Sequence, residues 1–209
     1  MKALTTFSSA ILFFLAPAAQ AAPDGTWTVM EHRSITPSSD LMLDAHVLPD
    51  GITGMIGGGD IVFFTWDGGR HWYNSILPGF PDDQDILGLC AVSRDSVWAA
   101  CDYGWLARTT DGGAAWEVQR PTTTNMFEVF FLDHLRGWAG GSTSDGSNHL
   151  VRTADGGATW EDASFGWNGN VIVAIFFIDP ETGWAGGKDS EGYPCLYRTD
   201  DGGLTWSRQ

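Results

Sequence analysis

Positive charge is scarce in this sequence. Eleven Lys and Arg stand against 26 Asp and Glu over 209 residues, a net charge of −15. The cations form no run or stripe, which argues against binding to a nucleic-acid backbone or an anionic lipid surface, since both need clustered positive charge. Long apolar runs are also missing after residue 21, so no direct membrane span is expected. The five His (His32, His46, His71, His134 and His149) are scattered without metal-ligand spacing, and no metal or cofactor is expected. Cysteine is limited to Cys90, Cys101 and Cys195. Three is an odd number, and two readings stay open: buried small apolar side chains, or a disulfide between two of them. Cys90 and Cys101 flank a hairpin whose register places them on opposite faces of a sheet.

The N-terminus reads as a secretory signal peptide over residues 1–21. Lys2 gives it a positive start, Ala10 to Ala16 an apolar stretch, and Ala19-Gln20-Ala21 a small-x-small cleavage site. Cleavage near Ala21 places the mature chain in the periplasm or outside the cell. It leaves ten cations against 26 carboxylates, a charge near −16.

What is abundant is glycine (27) and tryptophan (11), and both are organised. The pattern Thr-x-Asp-Gly-Gly-x-x-Trp occurs four times. It runs through Thr65, Asp67, Gly69 and Trp72; Thr109, Asp111, Gly113 and Trp116; Thr153, Asp155, Gly157 and Trp160; and Thr199, Asp201, Gly203 and Trp206. The aspartates are separated by 44, 44 and 46 residues. A period of that length marks a repeat architecture.

Each repeat has the same grammar. An apolar run comes first (Leu41–Leu48, Ile86–Val92, Phe127–Leu132, Val171–Ile178), of the kind that makes a strand covered on both faces. A second strand rich in small residues follows (Thr53–Gly58, Val97–Cys101, Gly137–Gly141, Gly183–Gly187), where Gly and Ala let a neighbouring sheet approach. A third strand (Ile61–Thr65, Trp105–Thr109, Leu150–Thr153, Cys195–Thr199) enters the Asp-Gly-Gly turn, and a polar fourth strand leaves it as the outer edge. Four short strands per repeat predict an all-β fold: a β-propeller of four antiparallel blades, over about 41–76, 86–120, 127–164 and 171–209. The domain spans residues 22–209. An orphan strand at residues 26–32 has the pattern of a fourth strand, as does the end of the chain. Two claimants for one place predict an open or truncated ring rather than a conventionally closed one.

In the repeated turn, Asp is expected to accept hydrogen bonds from amides of its own turn, Gly to supply left-handed backbone, and Trp to fold against the base. Four such turns around a rim cannot converge on one substrate, so the reading is structural and no catalytic residue is assigned.

The turn resembles the Asp-box, or BNR repeat, of sialidases, sortilin-type receptors and certain glucanases. The longer phrase, Gly-Trp-Ala-Gly-Gly followed by Arg-Thr-x-Asp-Gly-Gly-x-Thr-Trp, is most similar to the photosystem II stability and assembly factor family. That resemblance implies a non-enzymatic propeller whose partner is a membrane-protein complex or its precursor, docked through an Arg patch. Arg108, Arg152 and Arg198 share one position, three residues before each Asp, and either form such a patch or make salt bridges between blades. The alternative is a carbohydrate-active Asp-box hydrolase. The chain contains no Arg-Ile-Pro, which a sialidase carries, and its tyrosines are Tyr73, Tyr103, Tyr193 and Tyr197. A Ca²⁺ held by Asp145 and by Asp189-Ser190-Glu191 is a weaker reading than a solvated loop. The loops between second and third strands vary most and are where specific function is expected.

Overall fold

A computed structural model describes residues 43–79, 84–143, 148–164 and 169–209. The signal peptide, the orphan strand at 26–32 and Asp145 lie outside the described residues. Among these residues sixteen strands form four antiparallel four-stranded sheets, each in simple sequence order. The first sheet holds β1 (Asp44–Val47), β2 (Gly54–Gly58), β3 (Ile61–Thr65) and β4 (Tyr73–Ile76). The second holds β5 (Ile86–Ala91), β6 (Val97–Cys101), β7 (Leu106–Thr109) and β8 (Glu117–Gln119). The third holds β9 (Asn125–Phe131), β10 (Gly137–Ser142), β11 (Asn148–Thr153) and β12 (Glu161–Asp162). The fourth holds β13 (Gly169–Phe177), β14 (Gly183–Asp189), β15 (Pro194–Thr199) and β16 (Ser207–Arg208). Among the described residues there is no α-helix, only a single 3-10 turn at Asp102–Gly104.

Sheets pack in chain order, and the first strands of neighbouring sheets touch: β1 on β5, β5 on β9, β9 on β13. Short fourth strands lie outside, as their polar residues require. The small residues of the second strands have the expected reason. A Cβ built on Gly57 would meet Leu89 Cδ1 of the second sheet at 2.9 Å. One on Gly140 would meet Ile172 Cγ2 of the fourth sheet at 2.7 Å.

Three apolar clusters hold the stack. The first joins Met55 and Phe64 to Leu89, Ala99 and Ala107. A second joins Trp98 to Val129, Phe131 and Val151, and a third joins Trp138 to Ile175, Phe177 and Tyr197. Cys101 lies in the first cluster and Cys90 in the second, on opposite faces of their sheet. All three cysteines are buried, with no disulfide among them. Burial pushes the Cys90 thiol up to about 12.

The expectation that every apolar strand is covered on both faces needs correction at the two ends of the stack. In the fourth sheet Ile172, Ile175, Phe177, Ala185 and Tyr197 are buried, whereas Val173, Phe176 and Leu196 are exposed. In the first, Met55 and Phe64 are buried while Val47 is 52% exposed. Apolar composition reports what a face is built to contact, not whether a neighbour is there. The fourth-strand place of the last sheet is held by β16, with Arg198 opposite Ser207.

Candidate functional sites

The four repeated turns share one hydrogen-bond scheme with Thr at its centre. Thr109 Oγ1 donates to Asp111 at 2.8 Å and accepts from the Gly113 amide at 3.0 Å. Thr65, Thr153 and Thr199 do the same for Asp67 and Gly69, Asp155 and Gly157, and Asp201 and Gly203. Each Asp then accepts the amide four residues on, from His71, Ala115, Thr159 and Thr205, at 2.8–2.9 Å. Both glycines are left-handed in all four turns; in the third, φ is 75° at Gly156 and 87° at Gly157. The first glycine's amide donates to the turn between first and second strands, as Gly156 does to the Leu135 carbonyl at 2.8 Å. Two turns on one rim are thereby tied together.

These bonds stabilise the carboxylate form. The His71 amide and side chain hold Asp67 at about 2, and the Thr159 hydroxyl and amide do the same for Asp155. The Ala115 amide lowers Asp111. At Asp201, burial pushes upward but the Thr205 hydroxyl and amide outweigh it. Carboxylates so occupied are poor proton donors at neutral pH.

Sequence reasoning did not foresee that the turns also join neighbouring sheets. Trp98 of the second sheet donates its indole N–H to the Gly156 carbonyl of the third at 3.1 Å, and Trp138 of the third donates to Gly202 of the fourth at 3.1 Å. Trp98 stacks on Phe131 at 3.7 Å between centroids, and Trp138 on Phe177 at 3.5 Å. The turn's own Trp160 and Trp206 then meet those phenylalanines edge-on. Of the turns' own tryptophans, Trp72 and Trp206 donate the indole N–H to the Gly69 and Gly203 carbonyls of their own turns. Trp116 donates to Ser75 of the first sheet. The only forewarning was the repeated Trp-Ala of the second strand, at Trp98, Trp138 and Trp184.

The arginines differ from the inter-sheet salt bridges weighed for them. Arg108 pairs with Glu117, Arg152 with Glu161, and Arg198 with Asp200, each within its own sheet. Carboxylate partners on adjacent strands or turns are simply nearer than any across a junction. Among the described residues, Arg108 is the one of the three that crosses, through Nη1 to the Gly156 carbonyl at 2.9 Å.

Two further places stand out. On the inner strands, Asp44 accepts the Leu89 amide at 2.6 Å, and burial raises its pKa. Burial and the Asp44 charge push Glu128 up to about 8. His46 is lowered by burial. Nothing in the spacing of 44 and 128 could have paired them; the stacking of β1, β5 and β9 does. The second place is the set of loops between second and third strands. Tyr103 sits there at φ 53°, the only non-glycine residue with positive φ among the described residues, with its ring exposed. Its backbone is pinned at both ends: its amide donates to Asn125 Oδ1 at 2.8 Å and its carbonyl accepts from Arg120 Nε at 2.9 Å. Tyr193, on the corresponding loop of the fourth sheet, is 63% exposed. Asp189 on that loop accepts the Glu191 and Tyr193 amides and pairs with Arg208, so its oxygens are engaged by the protein. No group of three or more metal-ligating side chains occurs among the described residues.

No protein-family model and no curated protein matches the sequence. Solved structures do match. An ancestral GH74 enzyme superposes with a TM-score of 0.64 at 15% identity, over 80% of this chain and 24% of that one. The GH74 enzyme of Niastella koreensis gives 0.63 at 17% identity, over 80% and 30%. YCF48 from Cyanidioschyzon merolae gives 0.59 at 17% identity, over 84% and 61%. This chain has a β-propeller fold. Its four sheets are blades, and they span less than two thirds of each of those chains. At such identities the likeness concerns the fold alone.

Proposed function

We propose that the protein is a secreted or periplasmic, non-enzymatic propeller that binds a protein partner through the loops joining second and third strands. The carrying observation is Tyr103. A bulky residue held left-handed and exposed costs roughly 1–2 kcal/mol relative to glycine, and such strain is characteristic of places where a side chain must be presented. Tyr193 projects from the corresponding loop two blades away. Rigid tyrosines offer large contact area at low entropic cost. The repeated turns, in contrast, spend their polar groups on the fold. The sharper reading, assembly or stability of a membrane complex such as photosystem II, rests on the sequence resemblance together with the shared fold of YCF48. We read the box as an Asp-box on the same ground.

A photo-cross-linker placed at residue 103 and exposed to periplasm-facing membrane proteins should trap one partner, and the same probe at exposed Leu135 should not. Equal labelling from both positions would contradict the proposal.

One observation favours the alternative hydrolase reading. Glu128, protonated near neutral pH beside Asp44, has the form of a general acid next to a second carboxylate, and GH74 enzymes share the fold. Incubation with sialosides and β-glucans is expected to give no product. Turnover that disappears in Glu128→Gln would establish the alternative.

A further inference from the structure

The junction between the second and third blades is made by three donors on one face. Trp98 on the second strand donates to Gly156, Arg108 on the third strand also reaches Gly156, and Gln119 on the fourth donates Nε2 to the Gly157 carbonyl. All three acceptors belong to the Asp-Gly-Gly turn of the next blade. The fourth blade repeats this set at the same register. Trp184 follows Gly183 and pairs with Arg198, as Trp98 pairs with Arg108. Arg198 lies opposite Ser207 as Arg108 lies opposite Glu117, which puts Gln209 in the place of Gln119.

Among the described residues, no neighbouring blade lies against these three side chains. Trp98 and Trp138 are 4% and 3% exposed, whereas Trp184 is only half-buried, covered by Arg198 at 5.7 Å from its ring. A Cβ on Gly186 would meet only atoms of its own sheet, none nearer than 3.9 Å; at the corresponding Gly140 the next blade is in the way. Leu196, in the same cross-strand row as Gly186, is exposed.

The first blade carries the complementary half. Its turn has the same left-handed glycines, Gly68 and Gly69, and a Cβ on Gly69 would meet only its own Trp72. At Gly157 and Gly203, Trp98 or Trp138 of the preceding blade stands within 3.4 Å of that point. Val47, opposite Gly54, occupies the register of Phe131 opposite Gly137, the residue on which Trp98 stacks. The row Ala45, Ile56 and Phe63 corresponds to Val129, Ala139 and Val151, which are buried against the second blade. It is equally apolar, and Ala45 is exposed.

We infer that the free face of the fourth blade docks on the first blade of a second copy of this chain, continuing the blade-to-blade junction between molecules. Trp184 then covers Val47 and donates to the Gly68 carbonyl, with Arg198 and Gln209 directed at the same turn. Two copies related by a two-fold axis make this contact twice, Trp184 of each against Val47 of the other, so that each supplies both halves. Both faces are apolar with a few fixed donors, the composition of a junction that excludes water.

Sedimentation analysis across a range of micromolar concentrations tests this on the chain as it stands. Wild type is expected at twice the chain mass. Trp184→Glu and Val47→Glu, both surface changes, are each expected at the single-chain mass with unaltered circular dichroism. Mixing them restores one junction, since one variant keeps an intact first blade and the other an intact fourth, and the dimer mass should return. A wild type that stays at single-chain mass overturns the inference. So does a dimer indifferent to both substitutions, or two folded variants that fail to pair.

Discussion

Thr109 makes the clearest case for how one residue organises a turn. It is buried, and its hydroxyl serves the Gly113 amide and Asp111 together. Thr109→Val keeps the shape and leaves that amide without a partner, an expected loss of about 1–3 kcal/mol, readable as a lower urea midpoint with an unchanged m-value. The turn aspartates set an acid limit. Their pKa values are lowered by folding, so the stability they contribute is present above the ordinary carboxylate range and lost as pH falls from about 4 toward about 2. Asp155→Asn should flatten the acid limb of a melting-temperature profile in that window and leave the limb above pH 6 parallel to wild type. Glu128 has the opposite sign. Its pKa is raised, so the native state loses stability as pH climbs from the ordinary Glu value of 4.5 through about 8. Glu128→Gln should melt higher than wild type at pH 8.5 and close to it at pH 4.5; a variant less stable at both would show that the carboxylate makes a favourable contact.

At the scale of the strand, the second strands decide how closely blades approach. Gly140→Val places carbon where Ile172 and Ile175 already lie, at 2.7 and 2.9 Å, and should cost about 1–3 kcal/mol by overpacking. The same change at Gly186, which has open space above it, should leave the fold of a single chain intact. Comparing the two urea midpoints, with the association-deficient Trp184→Glu change in both, checks this directly. Strand grammar was the most legible part of the sequence: the third strand of the first blade and the second strand of the second blade fall where alternation and small-residue content put them. The first strands were less so. Residues 125 and 126 and residues 169 and 170 extend β9 and β13 beyond the apolar runs, because register shifts add residues that no simple pattern announces. The Asp turns could be placed from their spacing and their internal bonds anticipated from Asx chemistry. Their second role could not, because it depends on which carbonyl a tryptophan 58 or 64 residues away reaches. For the same reason Asp44 and Glu128 were invisible as neighbours: their meeting is a product of sheet stacking, and local sequence carries no trace of it.

Among the described residues, the four blades form one continuous stack in which each turn clasps its own rim and the turns of the second, third and fourth blades receive the preceding blade. Charge alone explains none of this. A net charge of −15 sets solubility and the partners repelled, while cohesion comes from aromatic stacking and buried carbonyl acceptors at the junctions. The proposed binding surface is what the stack leaves outside it, the loops bearing Tyr103 and Tyr193. Tyr103→Gly relieves the backbone and removes the side chain, so it should hold or raise the melting temperature while weakening cross-linking to the partner from a probe placed at exposed Tyr193; a lower melting temperature would mean that the ring supports the fold instead. The central claim, that the repeated turns are junctions between blades, is tested most directly by hydrogen exchange at the tryptophan indoles, followed by NMR on the Trp184→Glu variant. The account predicts that the indole protons of Trp98 and Trp138 exchange slowly, with the protection of core amides. Exchange of those two protons as fast as that of an exposed indole would contradict it.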